Sequence, residues 1–219
     1  AESGAKSVYI STDYVFDGSK DSPYVESDPT APINVYGASK LAGEHLVQQA
    51  APNWLIVRVA SLFGKTGARG KGGNFIETIL AKARTGEPLK VVDDILISPT
   101  YARDAAQAIA QLIEADARRI VHAVNSGWCT WHEFAKTALE LCRVTALIDP
   151  VPSSQFPTPA RRAKNSALAS ERSQSEFKIT MRVRSLTSLS NAARSNEKSS
   201  SSRSGTGRGT PPATWIMAR

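Results

Sequence analysis

Tyr36 and Lys40 lie four residues apart, and Thr12 lies upstream in the run Ser11-Thr12-Asp13-Tyr14-Val15-Phe16-Asp17-Gly18. Together they supply a phenol, an ammonium and a hydroxyl, the groups needed to protonate a carbonyl oxygen while hydride arrives from a cofactor. On a helix, residues four apart are neighbours about 5–6 Å apart at Cβ, which places Lys40 one turn above Tyr36. An ammonium close by favours the phenolate form of a tyrosine, so a phenol in such a position gives up its proton to a developing alkoxide more readily. Proton donation of this kind is worth roughly 10²–10⁴-fold in rate. A Tyr followed four residues later by Lys is common by chance, and alone it is a weak signal. The context strengthens it, because Gly37, Ala38 and Ser39 between the pair are small and are expected to leave room for a cofactor.

These groups need a strand and a helix to hold them. Ser7–Ser11 reads as a short buried parallel strand with Thr12 just past its carboxyl end, where open α/β sheets bind ligands. Pro32 disfavours helix at Ala31, which predicts a helix from near Asn34. Its buried face is expected on Ala38, Leu41, Ala42, His45, Leu46 and Gln49, which recur at three and four. Trp54–Val59 is the next strand, and Ser61, Leu62, Phe63 and Gly64 follow it. Residues 65–73 form a Gly-rich basic stretch whose spacing matches neither a dinucleotide fingerprint nor a P-loop.

Further on, Asn74 predicts the cap of a helix through Phe75, Ile76, Ile79, Leu80 and Ala83. Leu89–Val92 and Ile120–Val124 read as strands around an Ala-rich helix over 101–114, whose stripe is expected on Ala102, Ala105, Ala106, Ile109, Leu112 and Ile113. Thr130 and Glu133 have the spacing of a capping box opening another helix. The alternation predicts an α/β, doubly wound parallel-sheet (Rossmann-like) domain. After Leu147 the prolines at 150, 152, 157 and 159 predict a long loop. From residue 182 to 219 Ser and Arg dominate without apolar periodicity, and disorder is expected there.

Composition narrows the function classes. Hydrophobic residues make up 41% of the 219-residue chain and charged residues 21%, both globular values. There is no 18-residue apolar run and no signal peptide, so a soluble cytoplasmic protein is expected, without a membrane partner. Cys129 and Cys142 are expected to be reduced core residues rather than a disulfide. The net charge is +7, yet Arg182, Arg184, Arg194, Lys198, Arg203, Arg208 and Arg219 face only Glu197 in the last segment. Most of the excess therefore lies in the tail, and the rest of the chain offers no argument for nucleic-acid binding. His45, His122 and His132 have no second ligand at zinc spacing, so no metal site is predicted. Arg58 on its strand reads as a structural ion-pair partner rather than a catalytic group.

Several separated motifs in order give the chain a resemblance to the extended short-chain dehydrogenase/reductase family over roughly residues 5 to 180. They are Ser11–Gly18, Asn34–Glu44, Gly72–Phe75, Val91–Asp94 with Ser98-Pro99-Thr100, and Phe156–Arg162. Within it the chain is similar to the branch that reduces the 4-keto group of a dTDP-6-deoxy sugar in dTDP-L-rhamnose biosynthesis. The resemblance implies that Tyr36 is the proton donor, that Lys40 holds the nicotinamide ribose, and that Thr12 hydrogen-bonds the substrate carbonyl. NADPH or NADH would supply hydride, with Leu62 near the nicotinamide. Asp13, Ser61, Asn74 and Phe75 would line the nucleotide-sugar substrate, although Asn74 reads equally as a helix cap. Arg161 and Arg162 either meet a diphosphate or form a solvated basic turn. Mg²⁺ has been associated with family members, but no carboxylate cluster argues for it.

Two departures matter. Related dehydratases carry Glu after the Thr-Asp pair, and Tyr14 stands there, which favours simple reduction over dehydration. Ser61 stands where the reductases often carry Trp, which leaves the sugar open. The family's dinucleotide fingerprint is not found ahead of Ser7. Residues 1–150 are therefore expected to be the carboxyl-terminal portion of a cofactor-binding domain lacking its N-terminal strands, impaired in cofactor binding when alone. Residues 151–181 are expected to be a substrate-binding loop region, and a homodimer is compatible with the resemblance. One rival reading is a non-catalytic NADP-binding regulatory subunit like that of methionine adenosyltransferase, and another is a nucleic-acid role for the basic tail.

Overall fold

The computed structural model describes residues 4–64, 74–177, 179 and 181. The Gly-rich stretch 65–73 and the tail 182–219 lie outside the described residues. In chain order the elements are β1 (Ser7–Thr12), α1 (Val35–Ala50), β2 (Trp54–Val59), β3 (Leu62–Phe63), α2 (Phe75–Arg84), β4 (Leu89–Val92), β5 (Leu96–Ile97) and β6 (Thr100–Tyr101), then α3 (Ala102–Glu114), β7 (Arg119–His122), β8 (Cys129–Thr130), α4 (Trp131–Cys142), β9 (Ile148–Val151) and α5 (Glu171–Ser175). Two compact units share them. The first takes the described residues of 1–62, 94–130 and 157–183, and the second those of 63–93 and 131–156. The stretch expected to bind substrate, 151–181, is thus divided between the two.

The first unit is built on a parallel sheet in the order β1-β2-β7. Thr12 pairs with Val59, and Arg58 with His122. Leu55, Val57 and Val59 of β2 join Val121 of β7 and Ala105, Ala108 and Leu112 of α3 in one buried cluster. The small Ala side chains let α3 pack close to the sheet, and its stripe runs at the three-and-four spacing of a helix lying on a sheet. The stripe is rotated from the expected one, since Ala102 and Ala106 are exposed and Ala108 takes the buried place. A second cluster holds Val15, Phe16, Tyr24, Ala60 and Leu168. Phe16 and Tyr24 stack with ring centroids 4.3 Å apart.

Helix α1 starts where Pro32 and Asn34 predict, with Asn34 Oδ1 accepting from the Gly37 N–H at 2.8 Å. Of its expected buried face, Leu41 packs against the second cluster, but Ala38, Ala42 and His45 are exposed, and Leu46 is 65% exposed. The buried residues are Gly37 and Glu44. An acidic residue faces the sheet because Arg58 meets it there, and apolar periodicity cannot register such a pair.

In the second unit β4 and β9 pair in parallel, and α2 and α4 complete the layer. The expected loop after Leu147 begins instead with strand β9, with Pro150 in register with Val91. A two-stranded sheet has only edge strands, and an edge position tolerates the missing proline N–H. Phe63, Phe75, Trp131 and Phe134 interlock, with Phe75 and Trp131 centroids 4.6 Å apart. Among the described residues, no helix is long and apolar enough to cross a membrane. Cys129 and Cys142 are both free thiols.

Candidate functional site

Thr12 is the last residue of β1 and also the cap of a short 3₁₀ turn over Asp13–Val15. Its Oγ1 accepts from the Tyr14 N–H at 3.4 Å and donates to Asp13 Oδ1 at 2.9 Å. The turn carries the Tyr14 carbonyl against Gly37 so closely that a Cβ there would collide with it. Gly37 therefore serves a backbone approach rather than leaving space for a cofactor, which corrects the reading at that residue; Ala38 and Ser39 are exposed on α1. The approach also brings the Tyr14 ring edge-on to Tyr36, with centroids 5.9 Å apart.

Tyr36 stands 54% exposed on the first turn of α1. Lys40 lies one turn further along, its Nζ over the Tyr9 ring at 4.1 Å. The Tyr9 hydroxyl donates to the Lys40 carbonyl at 3.4 Å, and Gly43 leaves the space that this hydroxyl occupies. At the end of β2, Ser61 has φ +42°, in the left-handed region that costs a non-glycine residue on the order of 1 kcal/mol or more. Its carbonyl accepts from the Thr100 N–H at 3.2 Å. Leu62 follows, half exposed. The structure thus gathers Thr12, Asp13 and Tyr36 at the carboxyl end of β1, and places Ser61 and Leu62 just past the carboxyl end of β2.

The electrostatics of this shelf are set by burial. Asp13 is 5% exposed, and burial pushes its carboxyl up to about 6 against the hydrogen bonds from Ser166 and Thr12. Burial likewise raises the Tyr14 phenol, opposed by Arg162, whose Nη1 donates to the Tyr14 hydroxyl at 3.4 Å. Ser11 Oγ is buried with no hydrogen-bond partner among the described residues. Ser166 is a residue that sequence reasoning missed. It arrives from a segment about 150 residues downstream that is tied down by Asn165 Nδ2 donating to the carbonyls of Lys20 and Ser22 at 2.6 and 2.9 Å. Gly18 makes room for Ala163 of the same segment. A lone serine in an Ala-rich stretch carries no local signal.

The family described as RmlD substrate binding domain matches residues 1–189 of this sequence. The chain belongs to that family. A dTDP-4-dehydrorhamnose reductase of Burkholderia thailandensis is 38% identical over 195 residues, covering 81% of this chain and 64% of the relative. Among solved structures, a dTDP-4-dehydrorhamnose reductase of Clostridium acetobutylicum superposes with TM-score 0.79 at 33% identity, covering 90% of this chain and 68% of that one. The Bacillus anthracis enzyme of the same description, in complex with NADP, gives TM-score 0.77 at 34% identity, with 90% and 66% covered. The chain spans slightly less than two thirds of the length of the curated relatives it matches. The fold is accordingly the Rossmann-like α/β fold of this RmlD family.

Two further groups of polar residues in this RmlD-family chain are structural. Arg58 Nε and Nη2 donate to Glu44 Oε1 and Oε2 at 2.9 and 2.7 Å, a buried fork that bears out Arg58 as an ion-pair partner. His122, fully buried, has Nδ1 2.8 Å from the Ala169 carbonyl oxygen, and burial pushes its imidazole down to about 4. Glu26 accepts from the His122 N–H, the Ser170 hydroxyl and the Glu171 N–H at 2.9, 2.6 and 3.1 Å, joining β7 to the start of α5.

In the second unit, Asn74 is the cap of α2 in a reciprocal capping box with Glu77. Its Oδ1 accepts from the Glu77 N–H at 3.1 Å and its Nδ2 donates to the Gly64 carbonyl at 2.6 Å. The side-chain amide is therefore engaged at both ends, and it ties Gly64 to the cap of α2. Phe75 packs within the aromatic cluster. Asn34 Nδ2 donates to the Arg161 carbonyl at 3.0 Å, which anchors that basic turn beside α1. His132 Nδ1 lies 3.7 Å from Asp93 Oδ1. Among the described residues, no group of three His, Cys, Asp or Glu side chains could hold a metal ion.

Proposed function

We propose that this protein is a dTDP-4-dehydrorhamnose reductase that reduces the 4-keto group of a dTDP-6-deoxy sugar with a reduced nicotinamide cofactor. The carrying observation is that the Tyr14 carbonyl packed on Gly37 brings the hydroxyl-bearing end of β1 against the first turn of α1, where Tyr36 stands exposed. The donor set fits the nicotinamide end of such a cofactor: a phenol and an ammonium one turn apart suit ribose hydroxyls, and half-exposed Leu62 suits a flat ring. The bound cofactor supplies the hydride. Tyr36 Oη gives a proton to the oxygen as the carbonyl carbon is reduced, and Lys40 holds the ribose.

Thr12 orients the carbonyl by hydrogen bonding, and Asp13 and Ser61 border the sugar. Asn74 and Phe75 are proposed to line the nucleotide-sugar substrate; Asn74 would then have to share an amide already engaged in its cap. The NADP complex of the Bacillus anthracis relative favours NADPH. The non-catalytic alternative draws no support from the relatives described.

The test is to assay the full-length gene product for NADPH oxidation with dTDP-4-keto-6-deoxy sugar, wild type against Tyr36→Phe. Loss of roughly 10²–10⁴-fold in kcat is expected. Equal rates would remove the catalytic assignment.

A further inference from the structure

The Thr12 hydroxyl has a single hydrogen and two lone pairs, and in this structure the hydrogen is directed at Asp13 Oδ1, 2.9 Å away. Both residues are buried, at 6% and 5% exposure, so water does not easily compete for the bond. The only other partner described for Oγ1 is the Tyr14 N–H at 3.4 Å, which takes up a lone pair weakly. A hydroxyl in this arrangement offers a ketone oxygen lone pairs alone, and oxygen lone pairs repel one another. Yet the reductase reading requires Thr12 to donate to that oxygen. The two requirements conflict as long as Asp13 is ionised.

We propose that Asp13 is a positioning residue that acts through Thr12, its own protonation deciding whether the Thr12 hydrogen goes to Oδ1 or to the substrate carbonyl. When Asp13 carries a proton, its carboxyl donates to Thr12 Oγ1, and the threonine hydrogen is released toward the substrate. No bond other than hydrogen bonds changes, and the pair holds one proton more in the donating state. The inference rests on the reductase reading and adds a pH gate to it.

The surroundings suit such a gate. Ser166 of the 163–169 segment favours the ionised form of the Asp13 carboxyl, while its hydroxyl lies 3.4 Å from the Leu96 carbonyl oxygen. Burial acts the other way and more strongly, holding the group up at about 6. Among the described residues, Tyr14 on the same turn, Tyr36 on α1 and Arg162, joined to the Tyr14 hydroxyl, are the ionisable groups facing this end of β1. The gate therefore turns within the pH range an enzyme assay covers.

The experiment uses the full-length gene product in two arms. In the first, carboxyl-carbon NMR follows the titration of Asp13 without cofactor or substrate. Thr12→Val, which keeps the shape and removes the donor, should raise the Asp13 midpoint, as should Ser166→Ala. A midpoint that stays put in Thr12→Val overturns the inference whatever the activity. In the second arm, kcat is measured against pH with NADPH and dTDP-4-keto-6-deoxy sugar. Wild type should lose roughly tenfold for each pH unit above the Asp13 midpoint. Asp13→Asn, whose amide is a donor at every pH, should lose this dependence. A wild-type rate that is flat across the midpoint, or the same falling limb in Asp13→Asn, also overturns the inference. Absence of turnover at every pH counts instead against the reductase reading, and the NMR arm then decides the Asp13–Thr12 link.

Discussion

Helix α1 carries two ionisable groups of opposite fate two turns apart. Tyr36 is 54% exposed, whereas Glu44 is 1% exposed and holds both donors of a buried arginine fork. The polar atoms around Glu44 are largely satisfied by one another, and their removal would be felt as stability. Those around Tyr36 face outward, and on the proposed reductase reading their removal is expected to be felt as activity. The buried Glu44–Arg58 pair therefore bears on stability, and the exposed Tyr36 phenol is where the proposed activity is tested.

The sharpest way to break this comparison is to exchange the expected penalties. Tyr36→Phe keeps the ring contact with Tyr14, and its stability in urea should stay within about 0.5 kcal/mol of wild type even as turnover collapses. A large loss of stability would show that Tyr36 is a structural residue. Glu44→Gln leaves Arg58 buried without a counter-charge, and a loss of about 3–5 kcal/mol is expected in the same measurement. A variant as stable as wild type would mean that Arg58 reaches solvent.

Smaller effects sharpen the picture. His122, held at about 4, stays neutral in the fold where an unfolded chain would take up a proton. The unfolded state thus binds more protons between pH 6.5 and 4, and wild type loses stability as pH falls through that window. His122→Gln should gain on wild type by roughly 3 kcal/mol over the same fall. A difference that does not change with pH would place the imidazole in water. Asp13 contributes the opposite slope: the folded state holds the extra proton between 3.8 and about 6, so its part of the stability declines as pH rises there. Asn74→Ala should cost about 1 kcal/mol, the value of a helix cap. A much larger loss in thermal denaturation would mean that its bond to the Gly64 carbonyl secures more than the cap.

What the sequence revealed and what it hid follow the range of the interactions. The start of α1 near Asn34, Asn74 as a cap and β1 and β2 as strands were readable from residues close to one another, and Arg58 as an ion-pair partner from its charge within an apolar strand, without its partner. The buried face of α1 was not, because Glu44 is explained only by a residue on β2. Strand β9 was hidden by Pro150, whose meaning depends on whether a strand lies at an edge. Ser166 and Arg162 were out of reach for the same reason: their contacts to the Asp13 and Tyr14 side chains cross about 150 residues of chain.

The contact of the Tyr14 carbonyl with Gly37 also sets a mechanical tolerance. Side-chain packing lets elements drift by the width of a rotamer change, but here two backbones touch with no side chain between them. The spacing between the strand that ends in Thr12 and the helix that begins beside Tyr36 is thus gauged like a shim rather than a spring. Position 37 would translate a single added methyl group into a displacement of the whole first turn of α1, and with it of the phenol.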